Sequence, residues 1–154
     1  AGKTIPILRA ANMSVGINVL HKLLRDALEA LGDGFDVELI EKYHNQKKDA
    51  PSGTSRALAE TAQAADATDA RLIFGRGPDA PPRSADEIAI HSVRGGTIVG
   101  EHEVIIAGED EVVTIGHRAF SRALFARGAI RAAEYIFGRS PGMYTMADVI
   151  GSRE

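Results

Sequence analysis

The 154-residue chain is 44% hydrophobic and 25% charged, carries a formal charge of -3 at pH 7 and contains no cysteine. Its length accommodates one domain with a core of its own, its slight acidity argues against a nucleic-acid surface, and without cysteine there are no disulfides, thiolate nucleophiles or cysteine-ligated zinc. No apolar run reaches the roughly 20 residues of a membrane span and the opening AGKTIPILRA has no signal-peptide core, so a cytoplasmic protein without a membrane partner is expected.

IPIL (5–8) reads as a short buried strand, followed by the loop AANMSVG (10–16). Ile17, Leu20, Leu24, Ala27, Leu28 and Leu31 recur at three- and four-residue steps, which predicts a helix over 17–31 with Ser14 as N-cap and Gly32 as stop. DVELIEKYH (36–44) predicts a strand, and Pro51 interrupts the chain before a second helix over about 54–65. RLIFGR is a further short strand, and GRGPDAPPRSAD (75–86), dense in glycine and proline, is a long surface loop of the kind that is functional or mobile. EIAIHSVR (87–94), TIVGEHEVIIAG (97–108) and EVVTIGHR (111–118), separated by GG and ED turns, predict an antiparallel meander. A third helix is expected over 121–137, with Leu124, Phe125, Ile130, Ala133 and Ile136 on its apolar side and Gly138 at its end; the tail SPGMYTMADVIG has room for one more helical turn. The fold class is α+β: a mixed, largely antiparallel sheet with helices on one face.

The strand-to-helix connection HNQKKDAPSGTS (44–55) concentrates the chemistry. Lys47 and Lys48 supply positive charge, His44 donates from a ring nitrogen, and the amides of Gly53 and Thr54 fall at a helix N-terminus, where unpaired N–H groups and the helix dipole favour an anion. Gly53 permits close approach to the backbone, and Pro51 restricts the loop before a ligand arrives. A carboxylate or phosphate suits these donors; equally, Ser-Gly-Thr is an ordinary capping sequence and two loop lysines are an ordinary solvated surface.

Other signals are weaker. GGTIVG (95–100) lacks the Lys-Ser/Thr ending of a P-loop, and no G-x-G-x-x-G follows a strand, so no nucleotide-phosphate motif is present. His91, His102 and His117 lie in separate predicted strands and would have to converge to bind metal; no metal site is expected. Asp36, Glu38 and Glu41 read as solvated strand-edge acids, His21 as a surface residue, Arg122 as a surface charge and Phe125 as a core ring.

EKYHNQKKDAPSGT resembles the signature of the dihydrodipicolinate reductases, Glu-x-His-His-x-x-Lys-x-Asp-Ala-Pro-Ser-Gly-Thr. AANMSVGINVL, the run from IHSVRGGTIVGEHEVIIAG to HRAFSRALFARGAIRAA, and GMYTMADVIG are similar to successive segments of that family, over about residues 5–151. The resemblance implies a reductase of bacterial lysine biosynthesis with an N-terminal Rossmann domain for NADH or NADPH and a C-terminal domain for a cyclic dicarboxylate. This chain looks like the second half of such an enzyme, with residues 1–11 a remnant of the last nucleotide-domain strand and linker, 12–140 the substrate-binding and oligomerisation domain, and 141–154 a tail. Family likeness further implies a homotetramer joined through the sheet, and inactivity of the isolated half in hydride transfer.

Matched residue by residue, the resemblance assigns His44, Lys47, Ser52, Gly53 and Thr54 to the substrate, Ala11, Asn12 and Met13 to a loop whose backbone approaches the nicotinamide, and Lys47 to proton donation. Tyr43 stands where the family has the first histidine of its pair, the usual general acid. A phenol has an unperturbed pKa of about 10 against about 6.5 for imidazole, so it is the poorer proton donor at neutral pH; Lys47 is the preferred acid and Tyr43 the second candidate. A phosphorylating aldehyde dehydrogenase, which has a comparable second domain, would need a nucleophilic cysteine. The competing reading is a non-catalytic protein that retains only assembly or small-anion binding.

Overall fold

Across residues 2–65 and 70–151, which the computed structural model describes, the elements run β1 (Pro6–Leu8), α1 (Val15–Leu31), β2 (Asp36–Tyr43), α2 (Gly53–Ala65), β3 (Arg71–Phe74), β4 (Glu87–Arg94), β5 (Gly100–Ala107), β6 (Val112–Ala119), α3 (Ala123–Ile136), β7 (Gly142–Tyr144) and α4 (Met146–Gly151). Contacts divide them into two units, residues 20–120 on the one hand and 1–19 with 121–154 on the other, α1 contributing to both. Residue 1 and residues 152–154, at the ends of the expected remnant and tail, lie outside the described residues.

The 20–120 unit is built on a five-stranded sheet of order β3-β4-β2-β5-β6. It is mixed: β3, β4 and β2 are parallel, while β5 is antiparallel to both β2 and β6. The α+β reading holds. Burial alternates along β2 and β5 with the period of two that puts successive side chains on opposite faces, so Val37, Leu39, Val104 and Ile106 turn to the helices together with Ile88 and Ile90. Leu20, Leu24, Leu28, Leu58, Ala59 and Ala62 complete this core; each large side chain contributes on the order of 2 kcal/mol relative to leaving it in water. His21, expected at the surface, is half-buried and bonds Thr61 Oγ1 at 2.7 Å, tying α1 to α2.

The antiparallel meander expected from 87 to 118 does not form. β2 lies between β4 and β5, and only β5 and β6 make a hairpin. Gly95 and Gly96 therefore do not close a two-strand turn; they carry the chain around the end of β2, where Gly95 N–H donates to Tyr43 O at 2.9 Å and Asn45 N–H to Gly96 O at 3.2 Å. Gly96 has φ 47°, the left-handed region that favours glycine. This crossover fixes the end of β2.

The 75–86 loop lies along the sheet face away from the helices. Arg76 bonds Glu87 and Glu38, both at 2.8 Å, and Arg83 bonds Glu38, Asp36 and the carbonyl of Glu87. Asp36 and Glu38, expected to be solvated edge acids, are ion-paired on a strand that is central.

In the other unit β1 pairs in parallel with β7, a strand not expected in the tail, and α4 follows it. Ala132, Met146 and Val149 form the core there, with Leu8, Ala10, Met13, Val15 and Tyr135 against it. α3 buries Gly128 and Ala132 rather than the expected stripe: Phe125 is 39% and Ile130 59% exposed. The reason is steric. A Cβ on Gly128 would stand 1.8 Å from the carbonyl oxygen of Met13, so the helix meets that strand-to-helix loop along a line of small residues that a hydrophobicity pattern does not mark.

Candidate functional site

β2 ends in alternation: Val37, Leu39, Glu41 and Tyr43 share the helix-side face, which passes from apolar to polar over its last two members. The register carries the change to the neighbouring strands. Glu41 stands beside Ser92 on β4 and His102 on β5, Tyr43 beside Arg94, and His102 beside His117 on β6. A polar end on an otherwise apolar face results.

Glu41 is 0% exposed. Its Oε2 accepts from Ser52 N–H at 2.9 Å and Ser55 Oγ at 2.6 Å; its Oε1 accepts from Ser92 Oγ at 2.9 Å and Arg94 Nη2 at 2.6 Å. Burial by itself raises the pKa of this carboxyl, but the bonds from Ser52, Ser55 and Arg94 outweigh it and hold the group down at about 2. The expectation that Glu41 is solvated is therefore wrong: it is an interior anion whose charge is matched by Arg94. Arg94 also donates to the carbonyl of Asp49 at 2.7 Å, so the same guanidinium fixes the loop.

Those bonds place the helix start. Ser52 is the N-cap of α2: its Oγ accepts from Ser55 N–H at 3.2 Å and its carbonyl from Arg56 N–H at 3.0 Å. Gly53 is the first helical residue, one earlier than the spacing predicts, and is exposed; a Cβ built there meets nothing within 4 Å, so the space in front of it is open. Thr54 follows in the first turn, half-buried. The Ala50–Pro51 peptide leading into the cap is cis.

His44 and Lys47 close a turn through Lys47 N–H and His44 O at 3.1 Å, and Lys48 beside it is exposed. The Lys47 ammonium lies 4.7 Å from the centre of the Tyr43 ring and donates to both oxygens of Asp49 at 2.8 Å. The hydrogen bond from Lys47, which outweighs desolvation, holds the Asp49 carboxyl below its usual range. The Tyr43 hydroxyl meets His102 Nε2 at 3.1 Å, the rings are edge-on, and the Arg94 guanidinium lies 5.6 Å from the Tyr43 ring centre. Gly100 makes room for that ring, since a Cβ there would stand 2.8 Å from Tyr43 Cε1. Tyr43, His44, Lys47, Ser52, Gly53 and Thr54 thus all belong to one strand end, one turn and one helix start. Such a cluster of cation, imidazole and helix N-terminus can hold a small carboxylate-bearing anion.

Three contributors escape sequence reading: Arg94, His102 and Ser55. Their signal is weak, since each is one polar residue in a separate element; the reading of Glu41 as a solvated edge acid passed over its being in phase with Val37 and Leu39. His91 does not join His102 and His117. It lies on the opposite sheet face with Nε2 2.6 Å from Glu38. Among the described residues no group of three or more His, Asp or Glu is placed to hold a metal ion. Ala11, Asn12 and Met13 are in the other unit. Asn12 Oδ1 accepts from Ser14 N–H at 2.8 Å, its carbonyl accepts from Asn18 at 2.9 Å, and Ser14 Oγ caps α1 through Ile17 N–H at 3.2 Å.

The profile described as "Dihydrodipicolinate reductase, C-terminus" matches residues 16–150. The chain belongs to the dihydrodipicolinate reductase family. It is 51% identical over 150 residues to the 4-hydroxy-tetrahydrodipicolinate reductase of Caldanaerobacter subterraneus subsp. tengcongensis, covering 97% of this chain and 59% of that protein. Identity to the enzyme of the same name from Clostridium botulinum is 49%, with the same coverages. Among solved structures it resembles a dipicolinate-bound dihydrodipicolinate reductase from Paenisporosarcina sp. TG-14, with a TM-score of 0.75 and 25% identity over 95% of this chain and 55% of that one. The chain therefore spans a little over half the length of the relatives it matches. None of its helices, among the described residues, is long and apolar enough to cross a membrane.

Proposed function

We propose that this chain is the substrate-binding part of an NAD(P)H-dependent 4-hydroxy-tetrahydrodipicolinate reductase of the diaminopimelate and lysine pathway, working in the cytoplasm. The observation that carries the reading is the β2–α2 connection itself, in which Lys47 and His44 share one turn, Lys47 lies over the Tyr43 ring, and Glu41 bonds Ser52 and Ser55 at the capped start of α2. The dicarboxylate is held by Lys47 and His44 through charge and hydrogen bonding, and by the Ser52–Gly53–Thr54 helix start through its N–H groups and dipole.

A nicotinamide cofactor would supply hydride to the ring. Residues 11–13 carry no charged side chain and no glycine-rich backbone for a dinucleotide's phosphates, and the Asn12 groups described above are engaged in shaping their own loop. They fit at most a backbone contact, so the cofactor is held chiefly by parts of the enzyme outside these residues and the isolated chain does not transfer hydride. The chain's own contribution to chemistry is to neutralise the charge that develops on the ring as hydride arrives. Lys47 is the proton donor at Nζ, and Tyr43, whose ring lies under that ammonium, is the second candidate.

Calorimetric titration with pyridine-2,6-dicarboxylate, comparing wild type with Lys47→Ala, tests the site. Saturable heat that the substitution removes supports it. No heat from the wild type at millimolar ligand sinks the binding claim for this chain and leaves assembly as its role.

A further inference from the structure

The signature histidine that Tyr43 replaces would accept or donate at either ring nitrogen, whereas a phenol has one proton to give. Where that proton goes is decided by His102. Among the described residues the Tyr43 hydroxyl bonds His102 Nε2 at 3.1 Å, a contact that either atom can donate. His102 is 6% exposed, and its other nitrogen, Nδ1, is buried and meets no partner among the described residues. With the proton on Nδ1 the structure would bury an orphan N–H; with the proton on Nε2 it buries only an unused lone pair, the less costly defect.

A charged ring, protonated on both nitrogens, is the third possibility. Burial is the main influence and holds the His102 pKa down to about 4; Glu41 opposes it, while His117, Lys47 and His21 add to it. The ring is neutral at pH 7.

We propose that His102 is a positioning residue: it donates from Nε2 to the Tyr43 oxygen and so leaves the Tyr43 proton to be given to a bound anion. Tyr43 then acts with Lys47, whose ammonium lies over the same ring, as a second donor converging on one ligand. The identity of the ligand rests on the function proposed above; the tautomer of His102 does not.

The first arm of the test is nitrogen NMR of the 154-residue chain with 15N-labelled imidazole rings, without ligand. His102 is expected as the Nε2-protonated neutral form from about pH 8 down to about pH 5. An Nδ1-protonated or charged ring at neutral pH overturns the proposal. The second arm is titration with pyridine-2,6-dicarboxylate. Tyr43→Phe and His102→Leu are each expected to weaken binding by on the order of tenfold, the double variant no further, and His102→Gln, whose amide N–H reaches the Nε2 position, to retain wild-type affinity. Losses that multiply in the double variant, or a His102→Leu chain that binds like wild type, overturn it. If His102→Leu does not fold, the tautomer and the Gln variant still decide. A wild type that takes up no dicarboxylate overturns the ligand reading instead, and the tautomer alone then judges His102.

Discussion

Glu41 organises the site without facing solvent. A buried carboxylate is tolerated only when every charge and lone pair is matched, and here two serine hydroxyls, one backbone N–H and one guanidinium do so. Its folded pKa lies below the unfolded value, so its contribution to stability is fully present above about pH 4.5 and is lost as pH falls toward about 2. The shift corresponds to on the order of 3 kcal/mol. Glu41→Gln removes the charge that Arg94 neutralises and is expected to destabilise by about 3 kcal/mol at pH 7, with a flatter acid limb between pH 5 and about 2. Denaturant melts across pH measure both; an unchanged acid limb would show that the carboxylate titrates normally. Asp49 is the opposite case, an exposed acid paired with Lys47. It occupies the ammonium that a ligand carboxylate needs, so Asp49→Asn is expected to tighten pyridine-2,6-dicarboxylate binding severalfold. Weaker binding would instead mean that Asp49 aims Lys47.

At the scale of elements, the site exists because β2 is a central strand whose end is wrapped by the Gly95–Gly96 crossover on one side and the capped start of α2 on the other. The helix periods and caps were readable: Ser14, Gly32 and the start near Pro51 all do what their chemistry predicts. The pairing of β4 was not, because an apolar run bounded by Gly-Gly suits a hairpin and a crossover equally, and only long-range competition for β2 decides between them. α3 shows the same limit. Its buried line runs through Gly128, whose missing Cβ lets Met13 O approach, and Gly128→Ala is expected to lower stability by about 3 kcal/mol even though alanine is the better helix former. Thermal unfolding measures this; a stabilised variant would show that the loop before α1 gives way easily.

At the scale of the whole molecule, the sheet face away from the helices offers both charge and apolar surface. Val93 and Val112 are 46% and 61% exposed there, on the same face as the Arg76, Arg83, Glu38 and Glu87 network. We expect this face to join subunits into a homotetramer. Sizing by light scattering should give four copies, and Val112→Asp should shift the distribution to smaller species; a wild-type monomer would remove this expectation.

The sequence alone determined the α+β class, the three long helices, the capped start of the second helix after Pro51 and the family, because these depend on local periodicity, capping chemistry and a contiguous motif. Tertiary structure alone decided that Glu41 is interior, that Arg94, His102 and Ser55 meet it or Tyr43, and that His91 turns away from His102 and His117. Each of those facts follows from strand order and register, and register is set by which long-range pairing buries the most apolar surface while leaving the fewest polar groups unmatched.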